Sequence, residues 1–318
     1  MRKRVQQTIH RHTLLKNGDT VIVGVSGGAD SMALLDVLAR SARTHHYTLI
    51  VAHVCYGVRG AAAYADRERV RTAAAHDDAS YEELDLSTQA HPHDEAWMRD
   101  ARYAFFERVR QTHNAAAIAV GHHRDDLVET FLLGLVRGSG LAGLSALRYK
   151  HGAIVRPLLD VTKDDILAYC AHHAIPYGTD STNADTTYLR NRIRHELVPY
   201  LRAHYNPRID DVLAHTAHTL RDDYVQLTDC TNDLMPSYTR TGATLTFAVA
   251  DFMACSASVQ RLFLRRCAAM LSKTTPSFGA VENWRTLIAS TKNKTQTART
   301  NALIVAKKGA TVHMTARA

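Results

Sequence analysis

An acid inside a glycine loop is the residue of this chain best placed for chemistry. It sits in Val21-Ile22-Val23-Gly24-Val25-Ser26-Gly27-Gly28-Ala29-Asp30-Ser31, where an apolar strand breaks into a loop and passes into a helix. Gly27 and Gly28 allow backbone conformations closed to other residues, and the helix that follows turns its positive end toward the loop. Ser26, Gly27, Gly28, Ala29, Asp30 and Ser31 therefore read as a pyrophosphate cradle, with an ordinary glycine turn as the alternative. No Gly-Lys-Ser/Thr follows, so the loop is not a Walker A motif, and it lacks the Gly-x-Gly-x-x-Gly spacing of dinucleotide binders. Asp30 makes sense in an anion cradle if it meets the phosphates through Mg²⁺, which takes oxygen ligands and keeps several waters.

A second constellation begins where a strand ends, at Gly121-His122-His123-Arg124-Asp125-Asp126-Leu127-Val128-Glu129-Thr130. At ~100° per residue His122, Asp126 and Glu129 fall on one helical face, with Leu127, Phe131 and Leu135 on the opposite, buried side. Two carboxylates and an imidazole can bind metal, take a proton or hold an ammonium group. The spacing does not choose among these, and His-x-x-x-His is absent. Between Trp97 and Glu107, arginines alternate with aromatics. Phe105 and Phe106 read as core, while Arg99 and Arg102 suit either an anion or a surface salt bridge.

The elements that must position these residues alternate. Short apolar runs at 48–53, 81–86 and 115–120 read as strands; 32–42, 61–75, 95–111 and 125–137 read as helices. That order predicts an α/β fold, a parallel twisted sheet with helices on both faces and ligands at the carboxyl ends of the strands. Thr162 with Asp165 caps a helix running to His173. Further on, helices are expected at 212–235 and 259–271, and a hairpin at 303–305 and 311–314 about Lys308-Gly309. The expected organisation is a catalytic domain at 1–212 and a smaller, mainly helical C-terminal domain at 213–318.

Lys plus Arg outnumber Asp plus Glu by 39 to 31, a net charge of +8 that suits a polyanionic partner. Between Thr186 and Arg208 lie five arginines (190, 192, 194, 202, 208), a single acid (Glu196) and three tyrosines (188, 200, 205), the chain's best nucleic-acid footprint. The five cysteines form no Cys-x-x-Cys, which fits a reducing cytoplasm and no zinc ribbon. No apolar stretch approaches the ~18 residues that cross a bilayer. The basic, acid-free first eighteen residues superficially look like a transit peptide. The strand at Val21 follows at once, so they are read as the first helix of the domain.

Taken together, these motifs resemble the tRNA(Ile)-lysidine synthetases of the PP-loop, or N-type ATP pyrophosphatase, group. The resemblance covers about residues 20–200. It rests on Ser26–Ser31, His53 with Gly57-Val58-Arg59-Gly60, Arg102-Tyr103-Ala104-Phe105-Phe106, and Gly121-His122-His123 through Thr130. Arg137-Gly138-Ser139-Gly140, Arg156-Pro157-Leu158, Asp180-Ser181-Thr182-Asn183 and Arg190-Asn191-Arg192-Ile193-Arg194 complete it. The loop alone is shared by many adenylating enzymes; the ordered set is specific.

The resemblance implies an adenine nucleotide alpha hydrolase-like fold and a ligase. ATP with Mg²⁺ adenylates the C2 carbonyl oxygen of the wobble cytidine in an isoleucine tRNA with anticodon CAU, and free L-lysine then attacks C2 and displaces AMP. Motif matching places lysine and activated cytidine near His122, Asp126 and Glu129, and Arg102 and Arg192 against phosphates or the base. His53 joins the loop in nucleotide binding, with Asp30 as the metal-linked acid. Arg190, Arg192, Arg194 and Arg202 are expected to meet tRNA, and a homodimer is compatible with the resemblance. Where the family shows His-Val-Asn-His-Gly-Leu-Arg, this chain has His53-Val54-Cys55-Tyr56-Gly57-Val58-Arg59, which makes Tyr56 stacking or backbone contacts the substitutes at adenine. The length suits the family's short form. The alternatives are a cytidine thiolase of the same fold, which would be expected to carry paired cysteines, and a basic RNA-binding module without catalysis.

Overall fold

Val21, Ile22 and Val23 are fully buried, and they form the centre of β1 (Thr20–Gly24). β-Branched side chains on both faces of a strand require cover on both sides, which a parallel sheet between helical layers provides. The computed structural model describes residues 1–58, 60–87, 95–145, 147–179, 189–232, 235–272, 274–292 and 294–317. It divides into two compact units, Met1–Arg221 and Asp222–Ala318.

In the first unit α1 (Arg2–Arg11) precedes β1, followed by α2 (Ala29–His45), β2 (Thr48–Cys55), α3 (Ala61–His76), β3 (Ser80–Asp85), α4 (Glu95–Thr112), β4 (Ala117–Val120) and α5 (Arg124–Val136). Next come α6 (Leu141–Leu144), β5 (Lys150–His151), β6 (Ile154–Val155), α7 (Lys163–His172) and α8 (Leu189–Arg192). A π-helical turn (Ile193–Leu197), α9 (Val198–His204) and α10 (Ile209–Asn232), in which the division falls, complete the order. The sheet order is β3-β2-β1-β4-β6-β5, parallel throughout except for β5 against β6. The chain builds outward from β1 to β3 and then returns to lay β4 on the other side of β1. This reversal leaves a crevice between the carboxyl ends of β1 and β4. Val21 and Val23 join one core with Leu34, Leu38, Phe131 and Ile166; Ile22 joins the other with Ile50, Phe105 and Phe106.

The expected strands and helices of this unit are present, their ends displaced by a few residues. Leu135, read as buried, is 55% exposed, while Leu127 and Phe131 are buried as expected. Thr162 accepts from the Asp165 N–H at 3.0 Å, so the expected cap starts α7. Among the described residues no helix is long and apolar enough to cross a membrane.

The second unit contains β7 (Tyr238–Thr241), β8 (Thr244–Ala248), α11 (Val249–Ala254), α12 (Ala257–Leu271), α13 (Phe278–Ala289), β9 (Gln296–Arg299), β10 (Leu303–Lys308) and β11 (Thr311–Ala316). The expected hairpin turns at Gly309, whose φ of +59° suits glycine. It lies within a five-stranded antiparallel sheet, β7-β8-β11-β10-β9, so the helices share this unit with a larger sheet than the sequence predicts. Trp284, Phe252, Phe263, Val305 and Met314 form its core.

Candidate active site at the ends of β1 and β4

After β1 the chain turns sharply because Gly27 takes a φ of +91°, a region that favours glycine. A Cβ at Gly27 would also lie 2.8 Å from the Asp66 Cβ. The loop ties itself together: the Ser26 N–H donates to Ser31 Oγ at 3.1 Å, and Ser31 Oγ donates to the Gly28 carbonyl at 3.0 Å. Gly28 is the extended N-cap of α2. Helix geometry leaves the first N–H groups of α2 without intrahelical acceptors, so an anion in the loop meets donors and the positive helix end together. Gly121 brings the end of β4 against this turn; a Cβ there would lie 3.1 Å from the Asp30 carbonyl carbon and the Ser31 nitrogen.

A pocket of about 280 Å³ opens at this junction. Ser26, Asp30 and Ser31 form a polar wall; Val54, Tyr56 and Phe106 supply apolar surface; Arg102 and His122 also line it. The Tyr56 hydroxyl donates to the Met98 carbonyl at 2.6 Å, tying the end of β2 to α4. A larger cleft of about 530 Å³ beside α1 and the end of α2 contains none of the predicted site residues. The chemistry-bearing side chains therefore make the smaller pocket the candidate site.

His123, not His122, is the N-cap of α5, and its N–H donates to Asp126 Oδ2 at 3.0 Å. Its buried ring is surrounded by acids: Nε2 is 3.5 Å from Asp126 and 3.8 Å from Asp30, and Nδ1 is 3.8 Å from Asp125. Burial opposes its charge, but these three carboxylates outweigh it and raise the pKa. His122 behaves oppositely. Burial, aided by Arg156, Arg190 and Arg99 and opposed by Asp126, pushes it down to about 3, and its buried Nδ1 has no partner among the described residues. Asp126 is held at about 2: burial works against its charge, but His123, His122 and Arg190 prevail.

The arginine-rich segment closes on these acids. Arg190 donates to Asp126 Oδ1 at 2.8 Å and to Glu129 Oε2 at 2.9 Å, and Arg194 donates to the same Glu129 oxygen at 2.9 Å. The Glu129 side chain is only 3% exposed, so it requires such partners. Arg190 and Arg194 stand four apart and share a side, with the π-helical turn beginning between them. The guanidiniums expected to face RNA are thus occupied at positions 190 and 194, and Arg202 pairs with Asp210 at 2.6 Å. Arg192 is different: its side chain is 57% exposed, with Glu196 3.8 Å away.

Arg102 lines the pocket and, like Arg99, lies over the Tyr103 ring, at 5.7 and 4.9 Å. His53 is buried, and its Nδ1 donates to the Val25 carbonyl at 2.8 Å. Its side chain braces the stem of the loop and is not part of the pocket lining. Burial lowers its pKa, which keeps it neutral.

Sequence reasoning missed two members. His123 was within the motif, but helical projection selects Asp126 and Glu129 and says nothing of a cap residue. Lys163, the first residue of α7, reaches Asp30 Oδ1 with Nζ at 2.6 Å from 133 positions away, and no local pattern signals it. Arg59, Tyr188 and the 180–183 motif lie outside the described residues. Among the described residues no group of three or more His, Cys, Asp or Glu is arranged to hold a metal ion.

Residues 1–201 match the family described as PP-loop domain. The chain is similar to a tRNA(Ile)-lysidine synthase of Bacillus subtilis, 37% identical over 246 residues, covering 73% of this chain and 51% of the relative. It is also similar to the enzyme of that name from Geobacter sulfurreducens, 40% identical, covering 70% of this chain and 48% of the relative. The matched region thus spans about half the length of these relatives. Among solved structures, a U34-tRNA thiolase from Methanococcus maripaludis superposes with a TM-score of 0.59 at 18% identity, covering 70% of this chain and 77% of the thiolase, which is a likeness of fold.

Proposed function

The chain belongs to the PP-loop family, and from that premise we propose that it catalyses ATP-dependent ligation of lysine to the wobble cytidine of an isoleucine tRNA with anticodon CAU. The observation that carries this reading is one pocket walled by the phosphate loop and by His122, which opens the acid-rich segment. The lysidine synthase relatives support the choice of reaction.

In the first step the cytidine O2 attacks the α-phosphorus of ATP, the bond to the β-phosphate oxygen breaks, and pyrophosphate leaves. In the second the lysine ε-nitrogen attacks C2, the C2–O2 bond breaks, and AMP departs with that oxygen. The loop and the first turn of α2 hold the leaving pyrophosphate. Asp30, a single carboxylate at that turn, fits a Mg²⁺ ion that arrives as part of MgATP; the ion neutralises phosphate charge. Tyr56 and Val54 offer the adenine an apolar wall, and Arg102 faces a phosphate. Asp126 and Glu129 exchange their arginine partners for the ammonium groups of lysine. His122, kept neutral by burial and without a partner at Nδ1 among the described residues, accepts a hydrogen bond from the lysine nitrogen and orients it toward C2. Arg192 and the net charge of +8 suit the RNA, and the free thiols of Cys55, Cys170, Cys255 and Cys267 suit a reducing cytoplasm.

The test supplies purified protein with MgATP, labelled lysine and an unmodified CAU isoleucine tRNA transcript, followed by digestion and mass spectrometry of the wobble nucleoside. Label on that cytidine with release of AMP is the expected result. ATP cleavage without lysine transfer would redirect the reading to another nucleophile, and no ATP chemistry would favour an RNA-binding module.

A further inference from the structure

The phosphate loop lacks the lysine that a Walker A loop carries, yet the structure places one beside it. Lys163 opens α7 directly after the Thr162 cap, and its Nζ donates to Asp30 Oδ1 at 2.6 Å. Its backbone N–H donates to Asp125 Oδ1 at 3.3 Å, which fixes the start of α7 against the start of α5. Two physical points separate this lysine from a routine surface ion pair. A cation in the first turn of a helix is opposed by the helix dipole, so local helix stability does not favour it there. An ammonium group also carries three donors, and among the described residues Asp30 is the only acceptor for Nζ. Its side chain is 37% exposed, so an incoming anion can reach it.

We propose that Lys163 is the phosphate-binding lysine of this loop, supplied from α7, and that it contacts the β- and γ-phosphates of ATP while retaining Asp30. This rests on the reading of the loop as an ATP site. Lys163 then acts on two charges at once. It sets the position of the acid that meets the metal of MgATP, and it compensates the charge gathered on the departing pyrophosphate. Convergence on one small region of a helix N-terminus, a lysine and an acid accounts for why the loop itself needs no lysine.

The experiment measures equilibrium binding of magnesium pyrophosphate, MgATP and AMP to the wild type, Lys163→Gln and Lys163→Arg, with thermal melting as a check on folding. Loss of one charge-assisted contact predicts roughly tenfold or greater weakening of pyrophosphate and MgATP in Lys163→Gln. AMP should change by less than about twofold, and Lys163→Arg should recover much of the loss. A folded Lys163→Gln protein that binds pyrophosphate like the wild type overturns the assignment while leaving the ATP site intact. A wild type that binds neither MgATP nor pyrophosphate overturns the ATP reading itself. Amine-reactive labelling of the wild type supplies a second measure that does not depend on a variant's folding. Lys163 should be protected by magnesium pyrophosphate but not by AMP, and equal labelling with and without pyrophosphate also overturns the assignment.

Discussion

Arg194 donates through Nη2 to the Glu129 carboxylate at 2.9 Å, joining positions 65 residues apart. With Arg190 on the same acid, a buried carboxylate in α5 is neutralised entirely from the arginine-rich segment that follows α7. The two elements are therefore bound by charge as well as by packing.

Removing one side of that relationship should be costly in a characteristic way. Arg194→Ala leaves Glu129 buried with Arg190 as its remaining partner. The expected loss is about 1–3 kcal/mol in urea unfolding, the lower end reflecting an arginine that is one-third exposed. Adding Glu129→Gln should recover part of it, because the unpaired charge is then gone. Strictly additive single and double variants would mean the pair is not coupled.

Asp30→Asn should abolish release of pyrophosphate while leaving tRNA affinity unchanged, since the proposed function assigns the acid to the nucleotide and not to the RNA. The readout is pyrophosphate formation alongside a filter-binding isotherm. Retained turnover would remove Asp30 from the metal-linked role.

Salt dependence separates the arginines. Arg192 is 57% exposed and its ion pair with Glu196 is long, at 3.8 Å, so Arg192→Ala should lower the log–log salt slope of tRNA binding by about 1. Arg190→Ala and Arg194→Ala should affect lysine-dependent turnover and stability more than that slope. If all three variants shift the slope equally, the ion pairs at Asp126 and Glu129 open when RNA binds.

His123 sets a pH signature. Its pKa is raised above the ordinary 6.5 by Asp125, Asp126 and Asp30, against the opposing effect of burial. A raised imidazole contributes stability that is complete below pH 6.5 and is lost as pH rises through the folded value. Thermal midpoints should therefore decline from pH 6.5 upward more steeply in the wild type than in His123→Gln. Parallel profiles would show that the ring is not charged in the folded protein.

Gly27→Ala should impair nucleotide binding out of proportion to its size. The positive φ strains any L side chain, and the new methyl would lie 2.8 Å from Asp66, so the loop must shift. MgATP affinity measured by calorimetry should fall by at least tenfold; unchanged affinity would show that the loop tolerates the displacement.

The loop and the acids were legible in the sequence because each is local. Glycines that turn a strand into a helix, and acids repeating at helical spacing, leave marks within ten residues. Lys163 and the pairing of Arg190 and Arg194 with Asp126 and Glu129 were not legible, because they depend on which helices the sheet order brings together. The arginines showed in the sequence only as a basic run, a pattern that an RNA-facing helix and an internal counter-ion share. In the C-terminal unit β7, β8 and β9 escaped notice because they are short, and β8 offers only Leu245 and Phe247 as its apolar alternation.

The central place of β1, paired along its length with β2 on one side and β4 on the other, has a consequence for how the molecule opens. Amide protons of Val21 to Val23 are each held in one or the other ladder of a strand fully buried from solvent, so they should belong to the slowest-exchanging class, near the free energy of unfolding of the whole unit. The stem of the glycine loop thus resists local melting, and the Arg190–Arg194 segment is anchored to α5 by ion pairs to two acids and by the buried Ile193.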